Sequence, residues 1–306
     1  MFSYFLLLVP FLFKVHSRSV FSVHGSWYTD PNEAPFTYFK SSMQVPALPS
    51  LEWQTLFIWP GIQPTVGESF LPIDNGVLQP VLTWGDSCIP NPNNLSIDLS
   101  KSWWISATYV NPYGSHEGHT GCNGGNRMTV DPEDILDMIM EKAPDSNIWT
   151  QTVINRRNNQ SVDYEIDMLN QLQGMAEFVM ETPGGWHKSP PKWKVFDIEL
   201  RSTQPHSGFC RPEYHAEKEP GASIKCSSPI IEGNICTVSE CLFNGYTETL
   251  PTLPNTTIDD RNTTGASEGP KNTGGASSTS GASGASGLSW SAIITALALL
   301  RLTLLF

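Results

Sequence analysis

Short runs of alternating apolar and polar residues, broken by Gly, Pro and Asn, recur through the middle of the chain and leave little room for anything but β-structure. IWTQTVIN sets Trp149, Gln151 and Val153 against Ile148, Thr150, Thr152 and Ile154. SVDYEIDM follows after RRNNQ, so the two runs read as a hairpin around Arg157 to Gln160. Side chains alternate faces along a strand, so each such run buries one face. WQTLFIWPGI, GVLQPVLTWG, WWISATYV, AEFVME and KVFDIEL are further runs of strand length. PEDILDMIMEK fits a short helix with Asp131 as its N-cap, or a strand entered through a turn. Its neighbours favour the strand. There is no internal repeat, no glycine-rich phosphate loop and no alternation of strand with helix. The expected class is all-β, an antiparallel β-sandwich.

The ends read differently from the middle. Residues 1–17 are an apolar run closed by small and polar residues, with Val15 and Ser17 before a signal-peptidase cut. The run is short for a membrane span. Residues 18–246 form the expected folded domain, long enough for one well-filled core. Residues 247–285 are a Ser/Thr/Gly-rich stalk with too little apolar surface to fold. Residues 286–306 end in an apolar tail, the pattern of a GPI-attachment signal or, alternatively, a membrane anchor. The expectation is an extracellular, surface-tethered protein, bound to the membrane through that anchor.

An exported chain oxidises its thiols. Cys88, Cys122, Cys210, Cys226, Cys236 and Cys241 therefore read as three disulfides, with Cys88–Cys122 and pairs within the last four as the local guess. No CxxC pair exists to favour zinc. Asn94, Asn159, Asn255 and Asn262 head glycosylation sequons. The formal net charge of −12 argues against a nucleic-acid partner, since phosphate binding needs a basic face.

Two short motifs carry little. GDSC at Gly85–Cys88 lacks the flanks and partners of a serine nucleophile and reads as a turn after a strand. HEGH at His116–His119 holds its histidines three apart rather than the four a zinc-binding helix needs. It reads as a loop, and no metal or cofactor is expected.

Three other features carry more. Gln79 interrupts Val77, Leu78, Val81 and Leu82, so its amide either bonds to a neighbouring strand or opens into a cleft. In AEFVME, Ala176, Phe178 and Met180 point one way, and Glu177, Val179 and Glu181 the other. Among 10 tryptophans, Trp59, Trp84 and Trp104 are candidates to line a groove, where aromatic rings suit peptide side chains and sugar faces alike.

In their order, these pieces resemble the eqolisin family of glutamic peptidases over about residues 53–200. Trp59, Gly61 and Ile62 match the family's Trp-x-Gly-Ile. Leu78 and Gln79 match its Leu-Gln, whose glutamine is catalytic. Ala176, Glu177, Phe178 and Glu181 match its Ala-Glu-aromatic-aliphatic-aliphatic-Glu, whose second glutamate is catalytic. The resemblance thus puts the catalytic roles on Gln79 and Glu181, with Glu177 a neighbour in the substrate site. It implies a concanavalin-like sandwich, the lectin-type jelly roll, with the dyad on the concave sheet. The chain departs from the pattern in three places. Pro80 follows Gln79 and suits an edge strand or bulge, WWISATYV lacks the family's acidic residue, and TPGG follows Glu181.

The chemistry of such a pair is simple. A glutamate takes a proton from water attacking a peptide carbonyl, and a glutamine amide meets the oxyanion. Acidic pH is the expected working range. The first functional reading is a tethered acid endopeptidase, a hydrolase acting on polypeptide. The alternatives are a non-catalytic glycan- or peptide-binding module on the same sandwich, and a structural coat protein.

Overall fold

The computed structural model describes residues 21–49, 55–65, 73, 75–99, 101–112, 114, 116–182, 192–216 and 223–244. The expected signal segment, stalk and C-terminal tail lie outside these residues, as do Asn255 and Asn262.

In chain order the strands are β1 Phe21–Tyr28, β2 Phe36–Gln44, β3 Leu56–Gln63, β4 Val77–Trp84, β5 Trp103–Asn111, β6 Gly121–Gly124, β7 Met128–Val130 and β8 Ile135–Lys142. They continue with β9 Ile148–Asn155, β10 Ser161–Asp167, β11 Met175–Thr182, β12 Trp193–Ser202, β13 Arg211–Ala216, β14 Ser223–Cys226, β15 Ile230–Glu232 and β16 Ile235–Asn244. Two eight-stranded sheets result. The first runs β13-β1-β11-β3-β4-β5-β6, with β7 also on β5. The second runs β10-β9-β8-β2-β12-β16-β14, with β15 also on β16. Every pairing between named strands is antiparallel. The all-β sandwich expected from the alternation is what forms. β9 and β10 make the expected hairpin, and PEDILDMIMEK supplies β8 rather than a helix.

The core lies between the sheets, and aromatic rings set which face of each strand turns inward. Phe178 of β11 stands at its centre. It meets Trp27 at 5.6 Å, Phe39 at 5.3 Å, Phe243 at 6.2 Å and Trp193 at 6.4 Å between ring centroids. Burying these rings supplies much of the driving force, on the order of 2–3 kcal/mol for a fully buried Phe. Because neighbours alternate, Phe178 inward forces Glu177 and Val179 onto the outer face of the first sheet.

The three disulfides are Cys88–Cys122, Cys210–Cys236 and Cys226–Cys241, in keeping with the local guess. Asn94 and Asn159 sit in exposed positions with φ of 50° and 58°.

Pro80 corrects one expectation. It lies in the sheet interior, since β4 runs between β3 and β5. The reason is visible in the register. Ile58 pairs with Leu82 and Ile62 with Leu78, so Pro60 stands level with Pro80. Neither proline has an N–H to donate, and the β3–β4 ladder is open between those two pairs. A proline is tolerated in a central strand where its cross-strand partner makes no demand on it.

Candidate functional site

The outer face of the first sheet carries the polar residues picked out in the sequence. On β11 they are Glu177 and Glu181, on β3 Trp59, and on β4 Gln79, and Gln63 of β3 shares that face. The register aligns them in rows. Glu177 pairs with Gly61 and with Ser26, while Glu181 pairs with Phe57. The unchanged register on either side of the β3–β4 gap puts Gly61 level with Gln79, and Gln79 pairs with Thr108. One row therefore reads Ser26, Glu177, Gly61, Gln79, Thr108. Glu181 lies in a different row, with Phe57, Thr83 and Trp104.

Gln79 and the two glutamates are thus on one face of one sheet, but not equidistant. Gln79 and Glu177 are two strands apart on the same row, about 10 Å between Cα atoms by the strand spacing. Glu181 is displaced along β11 by a further four residues, about 13 Å.

The sheet places Gln79 through its backbone. The Thr108 hydroxyl donates to the Gln79 carbonyl at 2.6 Å, and Gln151 Nε2, from the opposite sheet, donates to the Thr108 carbonyl at 2.7 Å. This polar tether crosses the core. The Gln79 side chain is only 7% exposed, and its Oε1 is buried with no hydrogen-bond partner. An unpaired buried carbonyl of this kind costs about 1–3 kcal/mol, so the site is not arranged for stability alone.

Both glutamates are buried, at 6% and 4% exposure. Gln63 Nε2 donates to Glu177 Oε1 at 2.5 Å. Burial pushes the Glu177 carboxyl up to about 8, opposed by the Gln63 bond and helped least by the charge of Glu181. Burial pushes Glu181 up to about 7, opposed by Trp59. Desolvation of the charged form is the ruling cause in both. Repulsion between the two carboxylates is the smaller effect on Glu177, as their separation along the strand requires.

Gly61 is required by its surroundings. A Cβ there would stand 2.8 Å from Trp59 Cζ3 and 2.9 Å from Val77 Cγ1. The half-buried indole of Trp59 therefore lies over Gly61, between Gln79 and Glu177.

A strap of residues 85–99 closes the other row. Ile89, with Ile97 and Leu99, packs on Phe57, Val81 and Trp104. Gly85, with φ of 87°, turns the chain out of β4, which makes GDSC the turn expected of it. The strap is pinned by Cys88–Cys122 and by Arg127, which donates to the carbonyls of Ile89 and Pro90 and stacks 4.1 Å above Trp104.

Two of the expected groove residues fall elsewhere. Trp84 is inward, 3% exposed, and meets Trp103 edge-on in the core at 5.7 Å. It alternates with Thr83, which takes the outer face. Trp104 is on the outer face but fully buried beneath the strap, its N–H donating to the Gly85 carbonyl. Only Trp59 of the three stays partly open. Gln63 and the Thr108–Gln151 tether were missed. Alternation along WPGIQ puts Gln63 on the face of Gly61 and was signal enough to find it. Gln151 reads in the sequence only as a polar residue on an inward face.

No metal centre emerges among the described residues. His119 faces backbone carbonyls with both ring nitrogens, Glu117 at 3.3 Å and Asp167 at 2.5 Å. Asp30, Glu33 and His206 do bring ligand atoms within 4.8 Å of one another. There the Gly208 N–H donates to His206 Nδ1, which leaves Nε2 as the protonated nitrogen facing Glu33 at 2.8 Å. That is a hydrogen-bonded pair rather than a ligand set.

No protein-family model matches the sequence, and no curated relative matches it. Solved structures do. Scytalidoglutamic peptidase with a peptide-based transition-state analog aligns at 14% identity over 73% of this chain and 98% of that one, with a TM-score of 0.42. SCP-B, a member of the eqolisin family of peptidases in complex with the tripeptide Ala-Ile-His, aligns at 13% identity over the same shares, with a TM-score of 0.41. A CBM2 module of the Lactobacillus casei BL23 phage J-1 evolved Dit aligns at 9% over 75% and 71%, with a TM-score of 0.32. The chain resembles the eqolisin peptidases in structure, a likeness too loose to speak for its chemistry, which its own residues must carry.

Proposed function

We propose that the protein is a glutamic-type endopeptidase, using the Gln79 amide and a β11 carboxylate to add water across a peptide bond. The observation that carries this reading is the common placement of Gln79, Glu177 and Glu181 as buried side chains on one outer sheet face. A carboxylate at such a site takes a proton from water as the water oxygen bonds to the carbonyl carbon. The Gln79 amide meets the oxyanion, and the carboxylic acid then protonates the leaving nitrogen. Positioned acid–base groups supply about 10²–10⁴ in rate, and an oxyanion donor about 10²–10³. No cofactor enters this chemistry.

The acidic working range expected from the sequence does not follow from this site. A base must be ionised, and burial holds these two carboxyls near 8 and 7. Cleavage by this route rises as pH climbs through about 7 to 8.

The binding-module alternative loses support, because Trp84 and Trp104 are not open to a ligand. Display outside the cell is part of the proposal. Three disulfides support it, as do two sequons in exposed positions.

The test is cleavage of an unfolded protein by the full chain from pH 3 to 9, beside Gln79→Ala and the Glu177→Gln/Glu181→Gln double variant. Wild type is expected to cleave, Gln79→Ala to lose about 10²–10³, and the double variant to lose all measurable activity. Equal cleavage by all three sinks the proposal.

A further inference from the structure

We propose that Thr108 and Gln151 are positioning residues for Gln79, a tether through which the second sheet sets where the Gln79 amide stands. The inference rests on the peptidase reading above and extends it to two fully buried residues behind the site.

Three observations lead there. First, the backbone of Gln79 lacks one of its two neighbours. The β3–β4 ladder runs from Leu56–Trp84 to Ile58–Leu82 and resumes only at Ile62–Leu78. Gln79 lies inside that opening. It pairs with Thr108 of β5 and with no residue of β3. Pro60 and Pro80, which stand in the opening, have no N–H with which to close it. The β3 side therefore does little to fix Gln79, and its placement falls to β5.

Second, side chains supply what the ladder lacks. The Thr108 hydroxyl donates to the Gln79 carbonyl at 2.6 Å. Gln151 Nε2 donates to the Thr108 carbonyl at 2.7 Å. Thr108 and Gln151 are both at 0% exposure. Hydrogen bonds shielded from water in this way are electrostatically stronger than exposed ones.

Third, the core gives Gln151 no other use. It lies on the inward face of β9 between Trp149 and Val153, both fully buried. An amide on such a face is unfavourable unless it is bonded. Asn155, the other amide of that face, donates to Asp134 at the strand end. Gln151 donates to Thr108 and leaves its own Oε1 buried with no hydrogen-bond partner. An apolar side chain of that length would fill the space without the unpaired oxygen. What the amide adds is the bond to Thr108.

The tether thus runs from β9 through β5 to the residue that meets the oxyanion. Misplacing such a group by about 1 Å costs on the order of 10²-fold in rate. The oxyanion forms only as the reaction proceeds, so a loosened tether lowers kcat and leaves KM largely alone.

The test is a double-mutant cycle in the full chain, with cleavage of an unfolded protein as the readout and thermal melting as the check on folding. Thr108→Val keeps the shape and removes the hydroxyl, whereas Thr108→Ser keeps the hydroxyl. Thr108→Val is expected to lose about ten- to hundredfold in kcat with little change in KM, and Thr108→Ser to stay close to wild type. Gln151→Met keeps the length, removes the donor and is expected to follow Thr108→Val. Added to Gln79→Ala, Thr108→Val is expected to cause no further loss, because it acts through the amide already removed. Three results overturn the tether and leave the peptidase reading standing: losses that multiply in the double variant, a Thr108→Ser that falls as far as Thr108→Val, or wild-type kcat in the folded variants. Either of Thr108→Val and Gln151→Met decides where the other fails to fold. No cleavage by folded wild-type protein overturns both readings.

Discussion

Burying Glu177 and Glu181 ties the stability of the fold to pH. Each carboxyl holds its proton more tightly when folded than when unfolded, since burial raises them to about 8 and 7 from the ordinary 4.5 of a glutamate. Below the unfolded value both states are protonated and the full stability is present. As pH rises from about 4.5 the unfolded chain releases protons first, so stability falls, and it goes on falling until the folded carboxyls ionise near 7 to 8. The loss is on the order of several kcal/mol for the pair. Melting temperature is therefore expected to drop between pH 5 and 8, and the Glu177→Gln/Glu181→Gln variant to flatten that drop. A wild-type melting temperature that climbs over this range contradicts the burial of both groups. At this scale the candidate residues were legible, because Gln79 and the glutamates break apolar patterns. Their division of labour was not. The motif order selects Glu181, while the rows of the sheet set Glu177 level with Gln79.

The β3–β4 pair is where local sequence and sheet geometry meet. Pro60 and Pro80 open the ladder between Ile58–Leu82 and Ile62–Leu78, and Gly61 lies inside that opening. Pro80 taken alone points to an edge strand, a reading that fails because its consequence depends on a residue twenty positions earlier. Gly61 answers to Trp59 and Val77. Gly61→Ala puts a Cβ 2.8 Å from the Trp59 ring and 2.9 Å from Val77. The ring is half-buried and can yield, so a stability loss of only about 1–2 kcal/mol is expected. Trp59 is displaced from its place between Gln79 and Glu177, which is expected to cut kcat/KM at least tenfold and to shift tryptophan fluorescence to the red. A variant with unchanged cleavage and emission speaks against the row geometry.

Across the whole molecule, the strap carries the outer face of the first sheet. Cys88–Cys122 closes a segment with a sequence separation of 34. In the chain-entropy view such a link contributes about 3–4 kcal/mol by limiting the unfolded chain. Replacing both cysteines with serine is expected to lower stability by about that amount and to expose Trp104, which denaturant melts and acrylamide quenching would detect. Unchanged stability means the strap is held by Arg127 and its apolar contacts alone. The second sheet takes part in the site as well, since Gln151 reaches through the core to the strand beside Gln79.

Alternation, turn residues and paired cysteines determined by themselves that this chain makes strands, that the strands bury one face, and that three disulfides staple them. Those signals are local, and the physics behind them acts within a few residues. Tertiary structure alone decided which glutamate stands level with Gln79, which tryptophans stay open, and why a proline survives inside a sheet. Each of these depends on the register between strands distant in the chain, and register is fixed by how the aromatic core packs around Phe178, not by any one segment's pattern.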